Sequence, residues 1–297
     1  MIGAFTKIFA LGHRSIRDIF NGEVEITEKL DGSQLGFGLI NGELVIRSKG
    51  RVIHDYNTTQ DGLFRPAIDH IVSIQHLLVE GTRFYGETLA KPKHNKLVYD
   101  RVPLNHIALF AAFNSHGDPF SYRGLHGLAG ILNVDTVDLI FKGTATPEDI
   151  PAMLRNVSSL GGTPIEGVVV KNLNQTVSFG DVHFPIACGK YVSEAFKEKM
   201  NVSKVRGNHW EQYKEAFRTG ARWEKAVQHL RERGELLGAP QDIGSLMKEV
   251  NQDILAEEID DIRDTLWKIF GKELMRNSTR GLPEWYKEQL LKGEIVV

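Results

Sequence analysis

Between Val24 and Val192 the sequence keeps returning to short apolar runs with strand-like alternation, and beyond about residue 195 it stops doing so. This break constrains the fold more than any other feature. Alternating strands bury their apolar faces in a sheet, whereas helix formers with 3.6-residue periodicity bury a stripe against other helices. The expected fold class is α+β: a domain of mixed strands and helices over 1–195, followed by a small all-helical domain over 196–297.

The first part contains its own punctuation. A strand at 24–26 leads into Glu28-Lys29-Leu30-Asp31-Gly32-Ser33, after which Leu35, Phe37 and Leu39 alternate with Gly36, Gly38 and Ile40. Asn41-Gly42 then separates two strand patterns, the strongest short-range hairpin signal because both residues tolerate positive φ. Further strands are expected at 83–87, 107–113, 137–141, 167–171 and 186–192. Helices are expected at 16–20 (capped by Ser15), 64–78, 125–132 and 147–160, the last with Thr146 before Pro147. In the second part the helical periodicity covers 210–233, 243–256, 260–270 and 283–291.

Bulk properties exclude several classes. The longest apolar runs are too short to span a bilayer, and the first residues lack the long apolar core of a signal peptide. A cytoplasmic protein is expected, in the host cytoplasm if the chain is phage-encoded, with no membrane partner. Cys188 is the only cysteine, which rules out an intrachain disulfide and a cysteine-based zinc site. Net charge is −2, but it is unevenly spread. Residues 186–235 hold 11 Lys/Arg against 7 Asp/Glu, while 236–264 hold 2 against 8. The basic stretch suits a polyanion-facing surface, and equally suits exposed helices of mixed charge.

The chemistry-bearing residues lie at strand ends. Lys29 stands in K-x-D-G, a pattern that by itself is as readily a surface turn. A nucleophilic lysine must shed its proton, so its site has to disfavour the cation through burial, neighbouring cations or a metal. Lys49, Lys171 and Lys190 are the candidate neighbours. Glu87 and Glu166 are carboxylates at strand ends, suited to a ribose hydroxyl or a hydrated divalent cation. Phe110 either stacks on a base or is a core residue, and alternation does not separate the two.

Together, Lys29-Leu30-Asp31-Gly32, Ser48-Lys49-Gly50, Phe84-Tyr85-Gly86-Glu87, Leu109-Phe110, Glu166 to Lys171 and the strand ending at Lys190 resemble motifs I, Ia, III, IIIa, IV and V of the covalent nucleotidyltransferase superfamily of ligases and capping enzymes. The fold implied is the nucleotidyltransferase fold, with ATP-grasp-like antiparallel sheets. DNA ligases and capping enzymes follow motif V with a β-barrel, whereas this sequence continues as helices. Residues 242–257 resemble the helical C-terminal domain of phage-type, nick-sealing RNA ligases of the RNA ligase 2 branch.

That resemblance implies an ATP-dependent RNA ligase joining 3′-OH and 5′-phosphate ends through lysyl-AMP and RNA-adenylate. ATP and Mg2+ or Mn2+ would be the cofactors. The partner would be nicked duplex RNA or paired ends, with RNA–DNA hybrids open, acted on by a monomer. Lys29 would carry the AMP, Glu28 would read the adenine amino group, and Phe110 would stack on the base. Glu87 would contact ribose, Glu166 would bind the metal, and Lys171 and Lys190 would contact the α-phosphate. Lys49 stands where many relatives carry arginine, Cys188 where close relatives have a second motif V lysine, and Ala111 where they often have aspartate. The alternatives are a small DNA ligase, a capping guanylyltransferase and an inactive RNA-binding relative. The basic loop Lys91, Lys93, His94 and Lys96 reads mainly as solvated, with nucleic-acid tracking as the second reading.

Overall fold

The computed structural model describes residues 2–56, 62–197 and 209–292. In chain order its regular elements are β1 (Phe9–Ala10), β2 (Val24–Lys29), β3 (Ser33–Ile40), β4 (Glu43–Ser48), α1 (Arg65–Ser73), β5 (Arg83–Thr88), β6 (Ile107–Phe113), α2 (Tyr122–Leu132), β7 (Asp135–Thr136), β8 (Leu139–Gly143), α3 (Ile150–Met153), β9 (Gly167–Asn172), β10 (Val177–Phe179), β11 (Val182–Phe184), β12 (Ala187–Val192), α4 (His209–Glu215), α5 (Gly220–Arg233), α6 (Ile243–Glu257), α7 (Ile259–Ser278) and α8 (Leu282–Lys292). The expected α+β class holds. After β12 there is no strand among the described residues, so no β-barrel follows within them.

Two five-stranded sheets carry the first part, ordered β1-β12-β9-β2-β8 and β4-β3-β5-β6-β7. Their pairings are antiparallel apart from β1 with β12 and β6 with β7. The chain passes from the first sheet to the second through 30–32, so the K-x-D-G turn is the link between them. The hairpin expected at Asn41-Gly42 forms, with φ of 54° and 77° at the two residues. These positive values are those of a two-residue turn that follows the strand twist.

Apolar burial falls into layers. Leu35, Phe37, Ile46, Phe84 and Leu109 pack with α1 and α2 on one side of the second sheet. Val24, Ile26, Val168 and Val170 pack with Phe9, Ile16 and Ile150 on one side of the first sheet. Tyr85, Ala111 and Phe113 meet Ile186 and Cys188 around the buried N-terminal Ile2. This third cluster joins the facing sides of the two sheets, and it explains why Gly36 and Gly38 alternate with large residues on β3. A Cβ at Gly38 would stand 2.3 Å from the Thr82 carbonyl oxygen.

Several elements differ from the sequence expectation. The helix expected at 147–160 ends at Met153. Beyond it the chain turns through Gly161 and Gly162, with φ of 78° and 77°, and brings Leu160 O to the Asp100 and Arg101 N–H groups. The strand expected at 137–141 starts later, as β8 in the first sheet, and the two residues 135–136 before it form β7 in the second. The helix expected at 210–233 is interrupted before Thr219, whose hydroxyl accepts from Arg222 N–H and starts α5 anew. The first short helix is a 3-10 turn over Arg14–Ile16 capped by His13 in place of Ser15. The chain packs as two compact units, 1–246 and 247–297. Helices α4 and α5 therefore belong to the unit that holds the sheets. In the second unit α7 and α8 expose Trp267, Leu274 and Trp285. No helix among the described residues is long and apolar enough to cross a membrane.

Candidate active site

Lys29 is the last residue of β2, opposite Gly167 at the start of β9. Side chains alternate along strands, so Lys29, Thr27 and Glu25 share a face with Gly167, Val169 and Lys171 of β9, and with Val192, Lys190 and Cys188 of β12. Gly167 is required where it stands, since a Cβ there would lie 2.4 Å from the Tyr191 carbonyl oxygen. Lys29 Nζ donates to Glu166 Oε2 at 2.7 Å, and 28% of the lysine side chain remains exposed against 8% of the glutamate.

Carboxylates dominate the electrostatics around Lys29. Burial works to lower the pKa of its amine, but Glu166, Glu87 and Asp31 outweigh burial and hold it above the usual lysine value. The cluster of lysines expected to discharge Lys29 does not surround it. Lys190 alone among them is close enough for its charge to act on Glu166. Lys171 lies level with Glu25 and Cys188, four residues or ~13 Å along the sheet from the level of Lys29. Its buried amine donates to the Phe110 carbonyl, and burial lowers its pKa against the nearby Cys188 and Glu25. Lys49 is exposed, and its amine meets His229 Nε2 of α5 at 3.2 Å.

Glu87 points from β5 into the same region. Burial pushes its carboxyl up to about 8, with Lys29 opposing and Glu232, Glu166 and Asp31 adding to the rise. At neutral pH the group is thus largely a carboxylic acid, able both to donate and to accept.

Phe110 is placed by a β-bulge. Tyr85 pairs with Ala111 and Gly86 with Leu109, so Phe110 is the extra residue and has no opposite number on β5. A bulge re-aims the side chain it carries and takes the backbone out of the ladder. The Phe110 carbonyl is free to accept from Lys171, and its half-buried ring meets Phe5 edge-on at 4.9 Å.

Glu28 faces away from Lys29 and is buried. Its Oε2 accepts from Ser159 N–H at 3.0 Å and Ser159 Oγ at 2.7 Å, while Oε1 is buried without a partner. A buried acceptor left open is costly, and a donor on a ligand is the natural way to satisfy it.

Residues that the motif reading passed over hold the K-x-D-G turn. Asp31 Oδ2 accepts from the Lys96 and Leu97 N–H groups, both at 2.7 Å, and Asp31 N–H donates to Tyr99 Oη at 2.8 Å. Gly32 O accepts from Asn95 Nδ2 at 2.9 Å and Gln228 Nε2 at 3.0 Å. Gly32 admits no other residue, since a Cβ would lie 2.6 Å from Thr88 O and 2.7 Å from Glu87 Cγ. His94, read in the sequence as part of a solvated loop, is buried. Its Nδ1 accepts from Ala90 N–H, so Nε2 carries the proton and donates to Ser33 Oγ at 3.0 Å. Burial lowers its pKa to about 4, with Asp31 opposing and Arg231 and Lys91 assisting. The carboxylate contacts of Asp31 to a loop more than sixty residues away leave no trace in local sequence pattern.

Among the described residues no group of three or more His, Cys, Asp or Glu side chains is arranged to cage a metal ion. Glu166 beside Lys29 fits a different mode, in which one carboxylate, waters and phosphate oxygens complete a magnesium shell.

Cys188 shares the face of Lys190 but is 1% exposed, and its thiol is pushed up to about 12 by burial, against the opposing charge of Lys171. Cys188→Lys is expected to lower stability by about 1–3 kcal/mol through overpacking, plus the cost of a second buried ammonium beside Lys171. A thermal midpoint equal to that of the unaltered protein would show that position 188 opens to solvent.

The sequence profile of the RNA ligase family matches residues 22–192. No curated protein sequence matches the chain. Among solved structures, an apo variant of Naegleria gruberi RNA ligase is 18% identical, with a TM-score of 0.49, over 65% of this chain and 56% of that one. A second variant of the same ligase, solved with ATP and Mn, is 17% identical, with a TM-score of 0.50, over 65% of this chain and 57% of that one. At 17% identity and a TM-score of 0.50, the likeness to the second bears on the fold alone. The chain spans little more than half the length of these ligases.

Proposed function

The chain belongs to the RNA ligase family, and from that premise we propose that it is an ATP-dependent RNA ligase that joins 3′-OH and 5′-phosphate ends through lysyl-AMP on Lys29 and an adenylylated RNA end. The observation that carries the reading is Lys29 at the end of β2, 2.7 Å from Glu166, in the gap where Glu87 and Lys190 also act. ATP with a divalent metal is in keeping with the ATP and Mn of the Naegleria ligase.

Each side chain has a part its geometry supports. The open Oε1 of Glu28 accepts from the adenine amino group; guanine presents an acceptor at the corresponding position and is disfavoured. Phe110, freed by its bulge, stacks on the base. Glu87, protonated at neutral pH, donates to one ribose hydroxyl and accepts from another. Lys190 faces the α-phosphate. Lys171 keeps the bulge in place through the Phe110 carbonyl, and Lys49 reaches phosphate only by leaving His229. Glu166 would hold a divalent cation, which would supply charge neutralisation as phosphorus is attacked. Lys29 gives up its proton to solvent and attacks the α-phosphorus; a P–N bond forms and the P–O bond to pyrophosphate breaks. The AMP is then passed to the 5′-phosphate, and the 3′-hydroxyl displaces it.

The basic residues 186–235 are assigned to the RNA backbone, where phosphate contacts set register on a duplex. The test is a denaturing gel after incubation with magnesium and α-labelled ATP or GTP, followed by sealing assays on nicked duplex RNA, nicked RNA–DNA hybrid and single strands. Label from ATP alone and fastest sealing of the nicked duplex are expected. Absence of label with either nucleotide ends the ligase reading, and equal sealing of single strands ends the nick-sealing one.

A further inference from the structure

Helix α5 lies outside the segment matched by the family profile, yet it is attached to the turn that carries the nucleophile. Its residues fall into two stripes on opposite sides of the helix. Arg222, Ala226 and Leu230 are buried at four-residue spacing, and Glu224, Gln228 and Glu232 form a second row two residues on. Each member of that second row engages an element of the site. Glu224 pairs with Lys96 at 3.0 Å, on the loop that Asp31 holds. Gln228 Nε2 donates to Gly32 O at 3.0 Å and to Glu232 Oε1 at 2.8 Å. Glu232 is 4% exposed, and its charge acts on Glu87. Beside the row, His229 meets Lys49, and a Cβ at Gly50 would come within 3.1 Å of Arg233. The helix ends there, at Gly234 with φ of 72°.

The Gly32 carbonyl is three residues from Lys29, and its two acceptor positions are taken by Asn95 and Gln228. The bond to Asn95 ties the turn to a loop of the same domain. The bond to Gln228 ties it to a helix that the motif segments do not include. We propose that Gln228 is a positioning residue for adenylylation: through the Gly32 carbonyl it fixes the backbone that aims Lys29 Nζ at the α-phosphorus. This rests on the ligase reading above, and it extends the first chemical step beyond the family segment into α5. Glu232 holds the Gln228 amide so that one N–H faces Gly32 and the other faces helix, and a glutamine held at both hydrogens has no second orientation. The effect falls on the rate at saturating nucleotide, because Gln228 touches the turn and none of the groups assigned to base or ribose.

The test uses the full chain and single-turnover formation of lysyl-AMP with α-labelled ATP, read as maximal rate and half-saturating ATP separately. Gln228→Met keeps length and packing but removes the donor. It is expected to slow the maximal rate roughly 10- to 100-fold, the range that small misplacements of a reacting group produce, with half-saturating ATP little changed. Gln228→Lys retains a donor that Glu232 can hold, and is expected to recover most of the rate. Thermal midpoints are measured on all three proteins, and rates are compared below the lowest of them. If the Met variant melts too early, Gln228→Asn, whose donor falls one methylene short, takes its place. A donor-less variant labelled at the unaltered rate overturns the proposal, and so does a Lys variant as slow as the Met variant, or a loss confined to half-saturating ATP. If the unaltered protein takes no label, the ligase reading has failed; if it labels and the variants label equally, only the assignment of Gln228 has failed.

Discussion

Lys29→Ala is expected to end transfer of label from α-labelled ATP to the protein, a loss of more than about 10^4-fold of the kind seen when a nucleophile is removed outright. Neither Lys171 nor Lys49 is placed to substitute. Lys171 is level with Glu25, its amine committed to the Phe110 carbonyl, and Lys49 lies against α5. The substitution leaves Glu166 without its ion-pair partner, which for a buried pair costs several kcal/mol. Here the cost is smaller, because 28% of the lysine side chain is exposed and because the Glu166 carboxyl, already raised by burial, rises further once the lysine that opposes the rise is gone. The protein should therefore fold with a modest drop in thermal midpoint. Lys29→Arg separates charge from nucleophilicity: it keeps a cation against Glu166 and should be equally unlabelled. Full labelling of a folded Lys29→Ala protein would place the covalent site elsewhere.

Much of the site's frame was legible in the sequence because it depends on short-range rules. Asn41-Gly42 dictates its own turn, and the apolar runs at 107–113 and 167–171 are too uniform to be anything but buried strands. K-x-D-G, the strand before it and the glutamates at strand ends came out together for the same reason. What stayed hidden depends on contacts between distant segments. The alternation around Phe110 reads as an ordinary core strand, since the bulge arises from its pairing with β5 and not from its own residues. The segment 147–160 carries good helix-start signals, yet it turns away after Met153, and its Ser159 hydroxyl and N–H are consumed by Glu28, 131 positions earlier. The lysines looked like a cluster because the strand ends were known and the lateral spacing was not. In the structure the groups that crowd Lys29 are carboxylates, and α5 contributes one of those facing Glu87. Helical periodicity alone placed α5 with the C-terminal helices; its polar row places it in the first unit.

The carboxylates around Lys29 give Glu166 two opposed roles, which a single substitution pulls apart. In the described state Glu166 is the strongest of the groups that oppose burial and keep the proton on Lys29. The amine attacks only when neutral, so the rate of lysyl-AMP formation should climb about tenfold per pH unit until it levels off near the pKa of Lys29. Glu166→Gln removes that charge while leaving an amide oxygen in reach of Nζ. Burial then meets less opposition, the pKa of Lys29 falls, and the rising limb moves to lower pH. The same substitution takes away the carboxylate assigned to the divalent cation, and with it stabilisation of the charge that builds on phosphate, worth on the order of 100-fold or more. The variant should thus be slower at every pH. Its deficit should be largest on the alkaline plateau, where both proteins have a neutral lysine, and smaller at acid pH, where only the variant has been relieved of a counter-ion. Once Glu166 holds a cation its charge no longer favours the lysine proton, so raising magnesium should move the limb of the unaltered protein in the same direction as the substitution and leave that of the variant in place. Measuring single-turnover labelling against pH at two magnesium concentrations gives all four curves. Limbs that coincide for the two proteins would mean that Glu166 does not govern the proton on Lys29, and an undiminished plateau in the variant would mean that it does not hold the metal.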